Sequence, residues 1–461
     1  MPPADPPSTS RVETALSAVT DTRVRVVHAV QLQPWSVMRC RLADPLTVGG
    51  ATSVIVKWVR TEPGNERTQP ARLRTERAAL EHVGARAPQL VPRVLAGGGD
   101  SDLLVLEDLA PREPLRELLL RVGPVLAEPQ MIDVARALGR LHAATVGSAS
   151  SYYERLGADA TAGLATDIAA SVGDFGLGVE RVRAVGVPMS TAAQHELTAI
   201  VDTLLDPGAL LALSNGDPET NNYLADGPDG RLIDFESAGF QHVFVDVASM
   251  YIPGPMWLTV GDPDADGRAH AYRAAVAAVM PAVTDDRIFG EGVTGAGFVE
   301  ALRRLVKLPT MDARDPGESG RLHRVATTEA AADGADRFAC LPHLTSWTRT
   351  VAALRRRRWP DTDVDLAALS PFTARWRQPP GHCARASHRF RQHHQIAVVP
   401  TVRPVEVSGA GDEDEPGGTG LAERRAVGGE RGFADDVDAI DAEDRLLALG
   451  TAGGDLLPDP K

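Results

Sequence analysis

Apolar residues change their rhythm at about residue 107. Upstream they come in short β-branched runs. Residues 22–30 are rich in valine, 37–42 follow a turn, and 52–59 form a run preceded by Gly49-Gly50. Such runs, broken by glycine and turn residues, predict three strands in an antiparallel meander. Leu73, Glu76, Ala79, Leu80 and Val83 then recur at helical spacing, with Gly84 as a stop signal. Strands at 91–96 and 103–107, flanking the turn from Gly97 to Asp100, complete a small α+β lobe over residues 21–107.

From 108 to 376 the period is helical. Met131, Ile132, Val134, Ala135, Leu138 and Leu141 share one face of a helix ending near Gly147. Further helices are expected around 192–206, 266–280, 297–308, 322–338 and 343–358. The one clear β element here is a hairpin of 222–225 and 231–235, joined by Asp226-Gly-Pro-Asp-Gly230, whose residues suit a turn. Residues 1–20 begin Pro-rich and read as a disordered N-terminus. Residues 377–461 are dense in His, Arg and Gln, then Gly-, Asp- and Glu-rich; they bury too little apolar surface to offset ordering entropy and read as a disordered tail. The fold class is α+β, with two lobes.

A length of 461 residues accommodates two or three domains. The 62 acidic residues outnumber the 48 basic ones, giving a formal charge of −14, which disfavours nucleic acid as a partner and suits cationic substrates. Cys40, Cys340 and Cys383 lie far apart, in no metal-binding spacing, as expected of a reducing cytoplasm. The N-terminus lacks a basic start and an apolar core, and no apolar run is long enough to span a bilayer. A soluble cytoplasmic protein without a membrane partner is expected; the sequence does not specify its oligomeric state.

The chemistry is concentrated between Asn215 and Glu236. Phosphoryl transfer from a nucleotide needs one carboxylate facing the attacking hydroxyl, and a carboxylate and an amide holding magnesium on the phosphates. Asp217 is the candidate base, and Asn222 and Asp234 are the candidate magnesium ligands, because hard cations take oxygen donors. Asp-x4-Asn alone is common by chance, and the bland reading is a polar loop with incidental acids. The apolar-flanked Asp234 and the mid-strand Lys57 tip the balance. A lone lysine there would read as a solvated edge residue; with Glu76 on the next helix as its partner, it would hold nucleotide phosphates. Glu107, Asp108 and Leu109 end the last strand of the small lobe, where backbone groups of a two-lobed kinase would meet adenine. An ordinary strand and turn predict the same residues. Ser36, in the turn from Gln31 to Met38, offers a hydroxyl or an amide to phosphate. Glu219 and Glu236 are nearby acids, Glu236 either touching metal or solvated. Asp246 reads as a structural residue bonding loop amides or capping a helix, His142 as a packed core residue, and Arg355–Arg358 as a solvated helix end.

In this order, Val54-Ile-Val-Lys57, Thr75-Glu-Arg-Ala-Ala-Leu80, Val91-Pro-Arg-Val-Leu95, Leu104-Val-Leu-Glu-Asp-Leu109, Leu138-Gly-Arg-Leu-His142, Asn215-Gly-Asp-Pro-Glu-Thr-Asn-Asn222, Ile233-Asp-Phe-Glu236 and Asp246-Val-Ala248 form a series. The series resembles the aminoglycoside phosphotransferase and choline kinase-like superfamily over roughly residues 25–370. The resemblance implies a two-lobed protein-kinase-like fold with ATP and Mg2+ in the cleft. It also implies a Lys57–Glu76 phosphate-positioning pair, Asp217 as base, and Asn222 with Asp234 on the metal. The acceptor would be a hydroxyl-bearing small molecule such as an aminoglycoside, choline, an amino-alcohol or a sugar. Two departures stand out. Asn215 replaces a loop-supporting histidine, and the turn covering the nucleotide is glycine-poor, with Pro34 and Trp35. They motivate an alternative, a catalytically silent kinase-like binding module, against which the retained Lys57, Asp217, Asn222 and Asp234 argue. A protein kinase is disfavoured because the loop lacks the Arg-Asp pair. The acceptor pocket is expected within 240–345, including Trp257 and the segment from Asp262 to Asp266.

Overall fold

A helix opens the chain where the sequence suggested disorder. α1 (Thr9–Thr20) carries Val12 and Leu16 one turn apart, both fully buried, and it packs on the first and fourth strands. The Glu13 carboxylate accepts the Val26 N–H at 2.7 Å, tying the helix to the sheet. The expectation of disorder is corrected accordingly for 9–20: tertiary burial of two side chains decides the matter, not intrinsic helix propensity. The computed structural model describes residues 6–32, 36–59, 69–97, 102–226, 229–252, 263–264, 267–316, 319–362 and 403–405.

The small lobe follows the predicted order: β1 (Val26–Gln31), β2 (Val37–Leu42), β3 (Ser53–Trp58), α2 (Gln69–Gly84), β4 (Val94–Gly97) and β5 (Leu103–Glu107). The strands pair antiparallel in the order β1-β2-β3-β5-β4. Along β3, Val54, Val56 and Trp58 are buried, so Ser53, Ile55 and Lys57 share the opposite face. That alternation aims Lys57 at the cleft.

The helical lobe begins with β6 (Glu113–Pro114), α3 (Leu115–Val122) and α4 (Pro124–Thr145), followed by α5 (Ala149–Leu156), α6 (Ala160–Val172), α7 (Phe175–Ala184) and α8 (Thr191–Leu205). Next come β7 (Leu211–Ser214), β8 (Tyr223–Ala225), β9 (Arg231–Leu232), β10 (Gly239–His242) and α9 (Phe244–Val247). α10 (Arg268–Val276), α11 (Asp286–Arg304), α12 (Ser319–Arg337) and α13 (Pro342–Arg358) complete it, and β11 (Arg403–Val405) follows. The β8–β9 hairpin is as expected, but it is not the only β structure of this lobe. β6 joins it through Glu113–Ala225 pairing, and β7 pairs with β10 on either side of the hairpin in sequence. β11 adds to the outer edge of β1, so these three residues are an ordered exception to the predicted disordered tail; a strand edge offers unpaired N–H and C=O groups to any extended segment. The rest of 377–461, with the Gly98–Asp100 part of the small-lobe turn, Pro34, Trp35, Trp257, Asp262 and Asp266, lies outside the described residues.

Two apolar cores result. One joins α1 to the inner faces of β1, β2 and β3 together with Ala96, Leu103 and Val105. The other spans the helical lobe and takes in α2, through Leu73, Ala79, Leu80 and Val83, and also Leu104 and Leu106 of β5. The end of α13 is only partly the solvated terminus the charge run suggested: Arg357 and Arg358 are exposed, whereas Arg355 and Arg356 turn inward. Arg355 is buried, donating to the Arg324 carbonyl at 2.7 Å and the Thr328 hydroxyl at 2.5 Å, while Arg356 pairs with Glu329 and Arg358 with Asp312. The buried Trp359 contributes: its ring packs against the guanidinium groups of the buried Arg321 and Arg355 and of the exposed Arg358.

Candidate active site

The catalytic loop is fastened from behind. The buried Asp246 carboxylate accepts the Ser214 hydroxyl and, at 3.2 Å, the Asn215 N–H. It also takes the His142 Nε2–H at 3.2 Å, which leaves Nδ1 to accept the Tyr272 hydroxyl at 2.9 Å. Asp246 and His142 are therefore structural, as read from the sequence. Gly216 sits at φ 81°, and a Cβ there would lie 2.0 Å from the Ser237 carbonyl oxygen, so the turn into Asp217 requires glycine.

Asn215 joins the two acid-bearing loops. Its Oδ1 accepts the Asp217 N–H at 3.2 Å, and its Nδ2 donates to the Ile233 carbonyl at 3.1 Å and the Asp234 carbonyl at 3.5 Å. Asparagine thus provides the support that the histidine would otherwise give. Asp234 itself holds φ 63°, an uncommon conformation for a residue with a side chain, and this aims its carboxylate across the cleft. Asn222 donates through Nδ2 to the Asp217 carboxylate at 3.0 Å and to its carbonyl at 2.9 Å.

Lys57 closes the cleft. Its Nζ lies 2.6 Å from Glu76 Oε2 and 2.5 Å from Asp234 Oδ1, so the strand lysine, the helix acid and the hairpin acid meet at one point. Burial opposes the Lys57 charge, but Asp234, Glu76 and Glu236 outweigh it and hold the ammonium above its ordinary range. Burial likewise lifts the Glu76 carboxyl while Lys57 works against it. Asp217 is pushed up to about 6, first by burial and then by Asp234, with the Asn222 hydrogen bond opposing. Glu219 is pushed up to about 8 by burial and by Asp217.

Glu236 is neither isolated nor simply solvated. It accepts from Arg72 at 3.0 Å, and oxygens of Glu76, Asp234 and Glu236 all lie within 4.8 Å of one another. Three clustered carboxylates form a hard donor set that fits a magnesium ion better than a softer metal. Arg72 was not anticipated, although its position one turn before Glu76, on the same face of α2, is the signal that would have found it.

The residues expected around the nucleotide are placed less uniformly. The Ser36 carbonyl accepts the Trp58 N–H at 3.3 Å, next to Lys57 in sequence. Glu107 is held by Arg93 through its backbone N–H at 2.9 Å and its carboxylate at 3.1 Å. Leu109 is buried, and its carbonyl accepts the Arg112 N–H at 3.1 Å. The Asp108 side chain is directed into the small lobe, to Arg39 and Ser53, and not to the cleft.

No curated protein matches the chain significantly. Similar solved structures include a choline/ethanolamine kinase family protein from Mesorhizobium loti, at 14% identity over 75% of this chain and 99% of that one, with a TM-score of 0.37. A macrolide 2′-phosphotransferase from Brachybacterium faecium is 16% identical over 70% and 97%, with a TM-score of 0.37. A Plasmodium vivax ethanolamine kinase is 10% identical over 72% and 83%, with a TM-score of 0.41. Among the described residues no helix is long and apolar enough to cross a membrane. The profile of the phosphotransferase enzyme family matches residues 14–284, more than half of the sequence and the whole of the site described above. This chain belongs to that family of phosphotransferases.

Proposed function

We propose that the protein transfers the γ-phosphoryl group of ATP, with Mg2+, to a hydroxyl of a small molecule of the aminoglycoside, amino-alcohol or sugar-like kind. The observation that carries this reading is the meeting of Lys57 with Glu76 and Asp234, at 2.6 and 2.5 Å, beside an Asp217 held by Asn222. In use, Lys57 pairs with nucleotide phosphates and Glu76 keeps its ammonium in place. Asn222 and Asp234, with Glu236 adjacent, would hold the metal, which when bound neutralises charge on the phosphates. Asp217 orients the acceptor hydroxyl and takes its proton as the acceptor oxygen bonds to phosphorus and the bond from phosphorus to the ADP oxygen breaks. The Asp217 carboxylate, ionised above about pH 6, favours an acceptor that carries an ammonium group near its hydroxyl.

Replacement of Asp217 by Asn tests the assignment. Phosphate transfer should be abolished, with Mg-ATP affinity by calorimetry nearly unchanged; unaltered turnover removes Asp217 as the base. ADP release across a panel of amino-alcohols, amino-sugars, sugars and nucleosides identifies the acceptor.

A further inference from the structure

The segment connecting the lobes is clamped at both ends by charged side chains. Asp108, the first residue after β5, has a side chain only 3% exposed. Its carboxylate accepts Arg39 Nε at 2.7 Å and Nη2 at 3.2 Å, the Ser53 hydroxyl at 2.6 Å and the Ala110 N–H at 3.1 Å. Arg39 lies on β2 and Ser53 on β3, so the connector is moored to two strands of the sheet. Ser53 is also four residues before Lys57 on the same face of β3, which makes the strand a bar of about 13 Å between the mooring and the ammonium.

Arg112 moors the other end. Its Nε donates to the Asp229 carbonyl at 2.9 Å, its Nη2 to the Asp229 carboxylate, and its Nη1 to the Leu109 carbonyl at 3.4 Å. Asp229 stands in the turn of the β8–β9 hairpin; Asn222 immediately precedes β8, and Asp234 lies just beyond β9. A continuous circuit results, running from Lys57 along β3 to Asp108, through the connector to Arg112, along the hairpin to Asp234, and back to Lys57. A buried carboxylate with four donors and a forked guanidinium are stiff fastenings, stronger than neutral hydrogen bonds.

We infer that Asp108 and Arg112 are positioning residues that set the spacing of Lys57 from Asp234, and that the Asp108 carboxylate acts on the sheet and not on the nucleotide. The inference stands on the fold; only its nucleotide arm rests on the proposed ATP-dependent reaction.

The test has two arms. Spin labels at Leu46 and Leu205, both exposed and on different lobes, are introduced after Cys40→Ala, Cys340→Ser and Cys383→Ser. Pulsed-resonance distances without ligand should form one narrow distribution, broadened at least twofold in Asp108→Ala and in Arg112→Ala. In the second arm, adenosine and Mg-ATP binding are compared by calorimetry. Asp108→Ala should weaken Mg-ATP at least tenfold and leave adenosine within twofold. A distance distribution as narrow as in the parent overturns the inference, and so does an equal loss of both ligands, which would place Asp108 on the base. If the parent binds neither ligand, the ATP reading fails and the distances alone decide. Should an alanine variant not fold, Asp108→Asn and Arg112→Lys are measured in its place, with the same broadening expected in smaller degree and its absence counting against the clamp.

Discussion

Replacing Asn215 with Ala removes a side chain that bonds to both acid loops. It would leave a part-buried Asp217 N–H, bonded at 3.2 Å, and a part-buried Ile233 carbonyl, bonded at 3.1 Å, without their side-chain partner. Each stranded backbone group costs about 1–3 kcal/mol. The 3.5 Å contact to the Asp234 carbonyl lies at the limit of a hydrogen bond and adds little. Partial burial puts both groups at the lower end, so the expected destabilisation is about 2 kcal/mol, a sizeable share of the margin of a folded domain. Asp234 would also lose support for its φ of 63°, a conformation that costs about 1–3 kcal/mol and persists only when its surroundings enforce it. Urea unfolding without nucleotide, followed by tryptophan fluorescence, measures the first effect, and ADP release with a working acceptor measures the second. Turnover should fall with stability. A variant within about 0.5 kcal/mol of the parent and equally active would refute the bridging role.

Two other outcomes follow from local geometry. Burial, with His142 adding to it, pushes His242 down to about 4 from an ordinary 6.5, while its Nδ1 accepts the Phe244 N–H at 3.2 Å. The unfolded chain takes up this proton first, so stability present above pH 6.5 should be lost as pH falls through 4, by at most about 3 kcal/mol. Urea midpoints measured from pH 7.5 to 4 should fall less steeply in His242→Asn; identical slopes would exclude the ring as the cause. Gly216→Ala should cost at least about 2 kcal/mol and most activity, because both the positive φ and the Ser237 carbonyl oppose a Cβ. Gly49→Ala, at φ 58° with nothing within 4 Å, is the control and should cost about 1 kcal/mol in the same assay.

The strands and the meeting of the charged cleft residues were legible because local patterns determine them. β2 and β5 coincide with their predicted spans, since a β-branched run between turn residues has few other uses. Lys57, Glu76 and Asp234 could be placed together because alternation along a strand, the face of a helix and the outlet of a hairpin fix their directions. What escaped depends on partners distant in sequence. α1 has two buried side chains and no acid in its first turn to mark it. α6 is rich in Ala, Gly and Thr, which obscures its period, while β7 owes its form to β10, reached only after the hairpin. Arg355 looked like one of four solvated charges; the Trp359 ring and, from α12, the Arg324 carbonyl and the Thr328 hydroxyl accommodate its burial.

The division of the interior into two cores bears on how the site is assembled. α2 is packed into the larger core, whereas the inner face of β3 belongs to the smaller one. The ammonium of Lys57 and the carboxylate of Glu76 thus meet on the sheet face turned toward the larger core, where Ile55 of β3 and Leu104 and Leu106 of β5 also pack. Their contact registers whether α2 is seated on that face, and a shift of the helix along the sheet would part the pair without opening the smaller core behind it.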